Sequence, residues 1–172
     1  MTPFKLTEEL VKNIEQHIEN KNNAELIALF QDVHYADIAE IINELDNDEA
    51  TYLIKLLDSD KTSDILTELD EDVREAILGN LSSKEIASEL GELDTDDAAD
   101  IIGELPKEQV QDVISKIEDR EHAKDIVDLL RYAENSAGGL MAKELVKVNE
   151  NWNVLTCVKE MRAQAENVTR VH

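Results

Sequence analysis

A leucine or isoleucine recurs at every twelfth residue over most of the chain, and this spacing restricts the fold more than any other feature. The residue three positions before each recurrence is always apolar, and the residue four positions before is apolar in six of the eight repeats. Apolar side chains at these offsets share one face of an α-helix, whereas a strand would need strict alternation. The series is Leu45, Leu57, Leu69, Leu81, Leu93, Leu105, Ile117 and Leu129.

The residue directly after most of these anchors is one that favours the start of a helix. Asp and Ser cap helix N-termini, and Pro is favoured in the first turn. We interpret Ser82 with Glu85 as a capping box, and Asp94 with Asp97 as a cap and its partner. The pattern predicts helices of about nine residues joined by turns of about three. The predicted starts are Asp46, Asp58, Asp70, Ser82, Asp94 and Pro106.

Helices this short are marginal in isolation, so they must stack on one another. We therefore predict a mainly α fold, a right-handed superhelix (solenoid) of short α-helices with a repeat of about 12 residues. Two helices near residues 7–20 and 23–32 are expected to cap its start. Glu89 and Asp125 stand in otherwise apolar positions, which indicates a local distortion or an exposed edge, with a docking surface as the alternative.

Charge and composition divide the chain near residue 135. The formal net charge is −23, yet residues 135–172 carry five Lys or Arg against four Glu, so the acidity belongs to residues 1–134. We predict a helical-repeat domain over 1–134, then a hinge at Gly138 and Gly139. Apolar residues at 145–148, a helix over about 154–162 and a strand beginning near 168 predict part of an α/β domain. Such a unit is expected to belong to a longer protein.

Composition also excludes several classes of function. A strongly acidic chain does not favour nucleic acid or an anionic membrane surface as its partner. The lone Cys157 excludes an internal disulfide, the four histidines lack zinc-site spacing, and no phosphate loop or nucleophile motif occurs, so we expect no enzyme activity. The sequence shows neither a signal-peptide core nor an apolar run of membrane-spanning length, which predicts a soluble, cytosolic segment.

Three stretches together resemble the cytosolic N-terminal region of MgtE-family magnesium transporters: HYADIAEII (34–42), the run of ELD repeats and SAGGLM (136–141). The resemblance implies an acidic N domain over 1–134 and the start of the first cystathionine-β-synthase-type (CBS) domain over about 138–172. It also implies a Mg²⁺-sensing region at the cytoplasmic face of the membrane. Its partners would be the rest of its own chain (CBS domains, plug helix and transmembrane pore), as a homodimer, with no direct membrane contact from this segment. We expect no nucleotide to bind to it.

The same resemblance places Mg²⁺ contacts at Asp64, Asp96 and Asp100, with Ca²⁺ or Mn²⁺ as ions that could replace it. Asp96 and Asp100 are one turn apart on a helix face. Asp64 and Asp100 share a repeat position three repeats apart, and we expect them to face one surface.

Two alternatives stay open. Asp96 falls in a first helical turn, where the helix dipole favours a carboxylate without any metal, whereas Asp64 and Asp100 are mid-helix, where Asp is a poor helix former. The whole chain could instead be a helical-repeat protein-interaction scaffold without ion dependence, similar to a flagellar motor switch protein.

Overall fold

The computed structural model describes residues 5–133 and 135–165, and the chain within these ranges is helical without a strand. The mainly α prediction is confirmed. The repeat helices α3 to α10 are eight to ten residues long, as the spacing predicts. The bounds are α1 Glu8–Glu19, α2 Asn23–Phe30, α3 Tyr35–Asn43, α4 Asn47–Leu56, α5 Ser59–Glu68, α6 Glu71–Gly79, α7 Ser83–Leu90, α8 Thr95–Glu104, α9 Lys107–Lys116, α10 Arg120–Leu129 and α11 Val154–Gln164.

The predicted helix starts are in place: all six residues immediately precede a helix as its N-cap. Ser82 and Glu85 form the expected capping box, and Asp46 forms a second one with Glu49. Helix α10 begins one residue later than the repeat implies, because Asp119 accepts hydrogen bonds from two backbone N–H groups of its first turn, at 2.8 and 3.1 Å. Local capping hydrogen bonds therefore fix the helix start at Asp46, Ser82 and Asp119.

The repeat helices alternate between two layers. Helices two apart in sequence make the most extensive contacts: α3 packs on α5, α5 on α7 and α7 on α9, while α4 packs on α6 and α8 on α10. Their apolar faces join in one core, in which residues such as Ile41, Leu66, Ile102 and Ile126 are fully buried. Two residues at the same repeat position therefore lie in the same layer only when an even number of repeats separates them. The handedness of a superhelix stays a prediction.

Glu89, one of the two acids in apolar positions, is partly buried where α7 packs on α5. Its carboxylate accepts a hydrogen bond from the Thr62 hydroxyl, and burial raises the pKa of Glu89 above its ordinary value. The exposed-edge interpretation is therefore wrong for this residue. A polar pair here substitutes for an apolar contact between two packed helices. Asp125 is likewise partly buried.

The segment after the repeats differs from the prediction. Residues 141–149 form neither helix nor strand, so the strand predicted at 145–148 is not found among the described residues. A strand needs a partner for its backbone groups, and here the side-chain amide of Gln164 bonds both the N–H and the C=O of Lys147, at 2.8 and 2.9 Å. Helix α11 confirms the helix predicted over 154–162, and the second strand, near 168, falls outside the described residues.

Gly138 lies against an aromatic ring. A Cβ built there would come within 2.4 Å of Tyr132 Cδ1, so only glycine allows this approach. The structure thus gives Gly138 a packing role, while the hinge stays a prediction. Among the described helices, none is both long enough and apolar enough to cross a membrane.

Two isoleucines provide a test of the layered core. Ile65 is fully buried in α5, whereas Ile27 in α2 is 46% exposed. We expect Ile65→Ala to lower the free energy of unfolding by about 2–4 kcal/mol, because it removes buried surface and leaves a cavity. Ile27→Ala should change it by about 0.5 kcal/mol or less. Urea unfolding followed by circular dichroism measures both, and equal losses would contradict the assignment of the core.

Candidate functional site: an acidic pocket between the layers

Seven carboxylate side chains line one pocket of about 470 Å³, which we call the acidic pocket. They come from three separate parts of the chain: the end of α5, the turn into α8 with its first residues, and the segment after α10. Among the described residues that line it, none is basic. The seven are Asp64, Glu68, Glu92, Asp94, Asp96, Asp97 and Glu144.

Asp97 shows how crowded this charge is. Partial burial of its carboxylate, followed by the negative charges of Asp96, Asp94, Asp100 and Asp64, raises the pKa of Asp97 from 3.8 to about 6. The residue as a whole remains exposed, so neighbouring charge and local desolvation act on it together. Asp97 therefore lies within electrostatic reach of all three residues that the sequence predicts as Mg²⁺ contacts.

Asp94 and Asp97 do not act as the cap and partner predicted from the sequence. Asp94 occupies the N-cap position of α8, but its side chain accepts no capping hydrogen bond there. Instead, both residues line the acidic pocket. The interpretation of the pair as cap and partner is therefore wrong, and a carboxylate from a distant part of the chain bonds the first residue of the helix.

That distant carboxylate is Glu144. Its two oxygens accept hydrogen bonds from the backbone N–H and the hydroxyl of Thr95, at 2.9 and 3.1 Å. Thr95 is the first residue of α8 and is almost completely buried. No local sequence pattern indicates this contact, since Glu144 lies 49 residues away in a stretch of near-neutral charge.

The structure separates the three predicted Mg²⁺ contacts into two groups. Asp64 and Asp96 line the acidic pocket together, whereas Asp100 lines a neighbouring pocket of about 540 Å³. The expectation that Asp64 and Asp100 face one surface stays a prediction, since both charges lie close enough to Asp97 to raise its pKa. Three repeats separate them, which is an odd number, and so α5 and α8 belong to opposite layers.

The pocket of Asp100 already contains a protein cation, and we call it the arginine pocket. Arg74 forms a two-pronged ion pair with Glu104, at 2.9 Å from Nε and 2.6 Å from Nη2. The same guanidinium donates to the carbonyl oxygens of Leu66 and Leu69 at the end of α5, at 3.2 and 3.0 Å. The hydrogen bonds to Glu104 raise the pKa of Arg74, to which the charges of Glu71 and Asp100 also contribute. Asp100 therefore has the positive charge of Arg74 near it, whereas no basic residue lines the acidic pocket.

The donor set of the acidic pocket fits a hydrated hard cation better than a desolvated one. Within residues 5–133 and 135–165, no three His, Cys, Asp or Glu side chains are close enough together to form a metal cage. Mg²⁺ keeps several of its waters and is commonly held by one or two carboxylates, so it does not require such a cage. The chemistry that this arrangement supports is neutralisation of charge across a water-filled pocket.

The fold and the pocket define an acidic, two-layered helical-repeat domain without a closed metal centre among its described residues. The chain belongs to the MgtE intracellular N domain family, whose model matches residues 33–135. This family is the N domain of magnesium transporters rather than an enzyme family.

Two solved structures share the fold. The crystal structure of the soluble part of a magnesium transporter is 25% identical, with a TM-score of 0.75, over 96% of this chain and 66% of that one. The crystal structure of the cytosolic domain of the Mg²⁺ channel MgtE in complex with ATP is 23% identical, with a TM-score of 0.81, over 94% of this chain and 67% of that one. The chain thus spans about two thirds of the length of each. No curated protein matches it.

Asp97 predicts how the stability of the domain depends on pH. Because its folded pKa of about 6 lies above its ordinary 3.8, the folded state binds the proton more tightly than the unfolded state does. The resulting stabilisation is fully present below about pH 3.8 and is lost as the pH rises through 6. We expect Asp97→Asn to raise the urea midpoint at pH 7 and to flatten its decline between pH 4 and 6.

Asp119→Asn provides the opposite control. Hydrogen bonds from the backbone N–H groups of His122 and Glu121 lower the pKa of Asp119, so its contribution is present at neutral pH and is lost on acidification. We expect this variant to lower the urea midpoint at pH 7. A pH profile for Asp97→Asn that is identical to the parent profile would contradict the assigned electrostatics of the acidic pocket.

Proposed function

We propose that this chain is the cytosolic, Mg²⁺-sensing regulatory region of a magnesium transporter or channel. Two findings support the proposal: membership of the MgtE intracellular N domain family, and the convergence of seven carboxylates from three parts of the chain on one pocket. The convergence carries most weight, because like charges gathered in one pocket repel one another and a bound cation would relieve that repulsion. Ca²⁺ or Mn²⁺ could occupy the same oxygen-rich surroundings.

Asp64 and Asp96 are the residues that we assign to the ion in the acidic pocket. Asp100 is assigned to a second contact at the arginine pocket, where Arg74 reduces the net negative charge. Binding at either place lowers the repulsion between acidic surfaces. Two carboxylates about 6 Å apart in water repel by roughly 0.7 kcal/mol, and several such pairs sum to a few kcal/mol. That sum shifts a two-state equilibrium roughly a hundredfold, which is enough to regulate a pore.

The partners in this proposal are the remaining parts of the same protein: the CBS domains, the plug helix and the transmembrane pore, assembled as a homodimer at the cytoplasmic face of the membrane. The exposed large apolar side chains of the described residues support a partner for the segment after residue 135. Eight of the ten lie between residues 140 and 161, including Leu155 at 83% and Val154 at 77% exposure, and α11 has no buried residue. A helix with so much uncovered apolar surface is typical of a domain that needs further chain to complete its core.

The second candidate function is a helical-repeat interaction scaffold without ion dependence. The uncovered apolar surface of α11 favours it, since a partner protein could cover that surface without any ion. The two functions differ in one observable property, since only the sensor responds to Mg²⁺ at constant ionic strength.

A pair of double variants separates the two functions. Asp64→Asn with Asp96→Asn removes two charges from the acidic pocket, whereas Asp48→Asn with Asp72→Asn removes two exposed charges from the first turns of α4 and α6. Asp48 and Asp72 occupy the same repeat position as Asp96. In an NMR titration with Mg²⁺, we expect the first double variant to lose affinity about tenfold, about 1.4 kcal/mol. The second should lose less than about twofold, since exposed charges are screened.

Asp100→Asn is titrated in the same series to test its separate place. We expect it to alter the shifts around Arg74 while those at the acidic pocket persist. Equal affinity for Mg²⁺ in both double variants would reject the sensing function of the acidic pocket and leave the scaffold.

A further inference from the structure

The stack of repeat helices is covered differently at its two ends. At the start, α1 and α2 pack on each other and α1 packs on α4, so two additional helices cover the first repeats. At the other end, Met141 of the following segment packs against the core. Helix α9 packs on α7 and on α10, and no described helix packs beyond it to a comparable extent. Because stacked repeats need a cover at each end, the side of α9 and α10 away from α7 is where a further helix would pack.

A groove of about 470 Å³ lies at this end of the stack, and we call it the end groove. It is lined by residues of α9, of α10 and of the turn after α10, among them Ile114 and Val127. The residue three positions before the anchor is buried in seven of the eight repeats, and Ile114 is the exception. Val127 stands two positions before its anchor, where the other seven repeats carry a polar residue or glycine. The end groove therefore leaves apolar side chains only partly covered.

The charges beside the end groove reverse the pattern of the earlier repeats. The position nine residues before the anchor is acidic in five repeats, and the last repeat carries Arg120 there. The position five residues before the anchor is acidic in four repeats, and the last repeat carries Lys124 there. These two cations are one turn apart on α10, they line the groove, and neither forms a direct ion pair with a described residue. Cations placed in this way beside apolar side chains are complementary to an acidic, partly apolar ligand.

Two acids and a third cation also line the end groove. Asp128 pairs with Lys143 at 2.7 Å and with Arg131 at 3.5 Å, so its negative charge is already balanced. Asp125 is partly buried in an otherwise apolar repeat position. Positive charge without an ion pair is therefore confined to the first half of α10, and this fixes where the acids of a ligand must lie.

We propose that the end groove binds an acidic amphipathic helix of a partner protein. The apolar face of that helix contacts Ile114 and Val127, and its acids face Arg120 and Lys124. A small polyanion is a poorer ligand, because it gains nothing from the apolar side chains and is repelled by the net charge of −23. A second copy of the chain carries that same charge, which opposes self-association. The end groove shares no residue with the acidic pocket, so the proposal does not depend on Mg²⁺ sensing.

Two double variants with the same change in charge test the role of the cations. Arg120→Asp with Lys124→Asp gives the last repeat acids that earlier repeats carry at these positions, so we expect the helix to fold. Lys84→Asp with Lys107→Asp is the matched control, because these exposed lysines lie in the first turns of α7 and α9 and do not line the end groove. Val127→Asn tests the apolar contact at a position where other repeats are polar. Circular dichroism checks that each variant keeps its helices.

The probe is a peptide of residues 94–105 with blocked ends, an acidic helix of the kind that packs in this stack. In an NMR titration of the chain at low salt, we expect saturable shifts at Ile114, Lys124 and Val127. Arg120→Asp with Lys124→Asp should weaken binding about tenfold or more, and the lysine control pair less than about twofold. Val127→Asn should weaken it about threefold, since apolar contact is lost. Monovalent salt should weaken binding to the parent more than binding to the cation variant.

Several distinct results would overturn the proposal. The absence of saturable shifts in the end groove at millimolar peptide would remove the site, and equal losses in both double variants would reduce the effect to net charge. Tripolyphosphate that bound as tightly as the peptide and shifted the same signals would make the groove an anion site. Sedimentation of a dimer that Arg120→Asp with Lys124→Asp converts to a monomer would assign the groove to a second copy. Loss of peptide binding in the full-length protein would assign it to another part of the same chain.

Discussion

Everything in this molecule depends on helices that are too short to be stable unless neighbours cover them. Eight to ten residues form between two and three turns, and a helix of that length is marginal in water. Each repeat therefore places its apolar face against the helix two repeats away. This requirement produces the two layers, and the layers decide which surface residues become neighbours across the fold.

The packing of the core brings the carboxylates of the acidic pocket together, and their mutual repulsion acts against that packing. Burial of the isoleucine and leucine faces brings the end of α5 next to the beginning of α8, and carboxylates at both places come together. Where the fold can neutralise such charge, it does so with the Arg74–Glu104 pair, whose side chains are only 13% and 25% exposed. No described basic side chain lines the acidic pocket, where partial burial, followed by the charges of neighbouring carboxylates, raises the pKa of Asp97. The crowding of acidic side chains is thus a consequence of how the core is arranged.

Most of the helical structure could be predicted from the sequence, because the repeat anchors and the N-cap residues are local signals. The six helix starts and the bounds of α11 follow from residues within one turn of each boundary. The local pattern at 145–148 could not decide whether a strand forms there, since a strand depends on a pairing partner elsewhere in the chain.

The site was harder to predict from the sequence, because it too depends on contacts between distant parts of the chain. The acids at 64 and 96 could be identified from the sequence. The placement of Asp64 and Asp100 in opposite layers depends on which helices pack together, and the repeat spacing does not determine that packing. Nothing near Glu144 in sequence indicates that it bonds Thr95, because the contact spans 49 residues. Sequence alone is consistent with a capping role for Asp97, whereas the folded chain places other carboxylates near it.

The central claim is that the acids of α5 and α8 and Glu144 form one cation-binding site, and paramagnetic relaxation by Mn²⁺ tests it most directly. Mn²⁺ accepts the same oxygen ligands as Mg²⁺ and broadens the NMR signals of nuclei near it. At substoichiometric Mn²⁺, the account predicts that the signals of residues 64, 92–97 and 142–144 broaden first and that excess Mg²⁺ restores them. Broadening spread evenly over the acidic first turns of α4, α6 and α10 would contradict it.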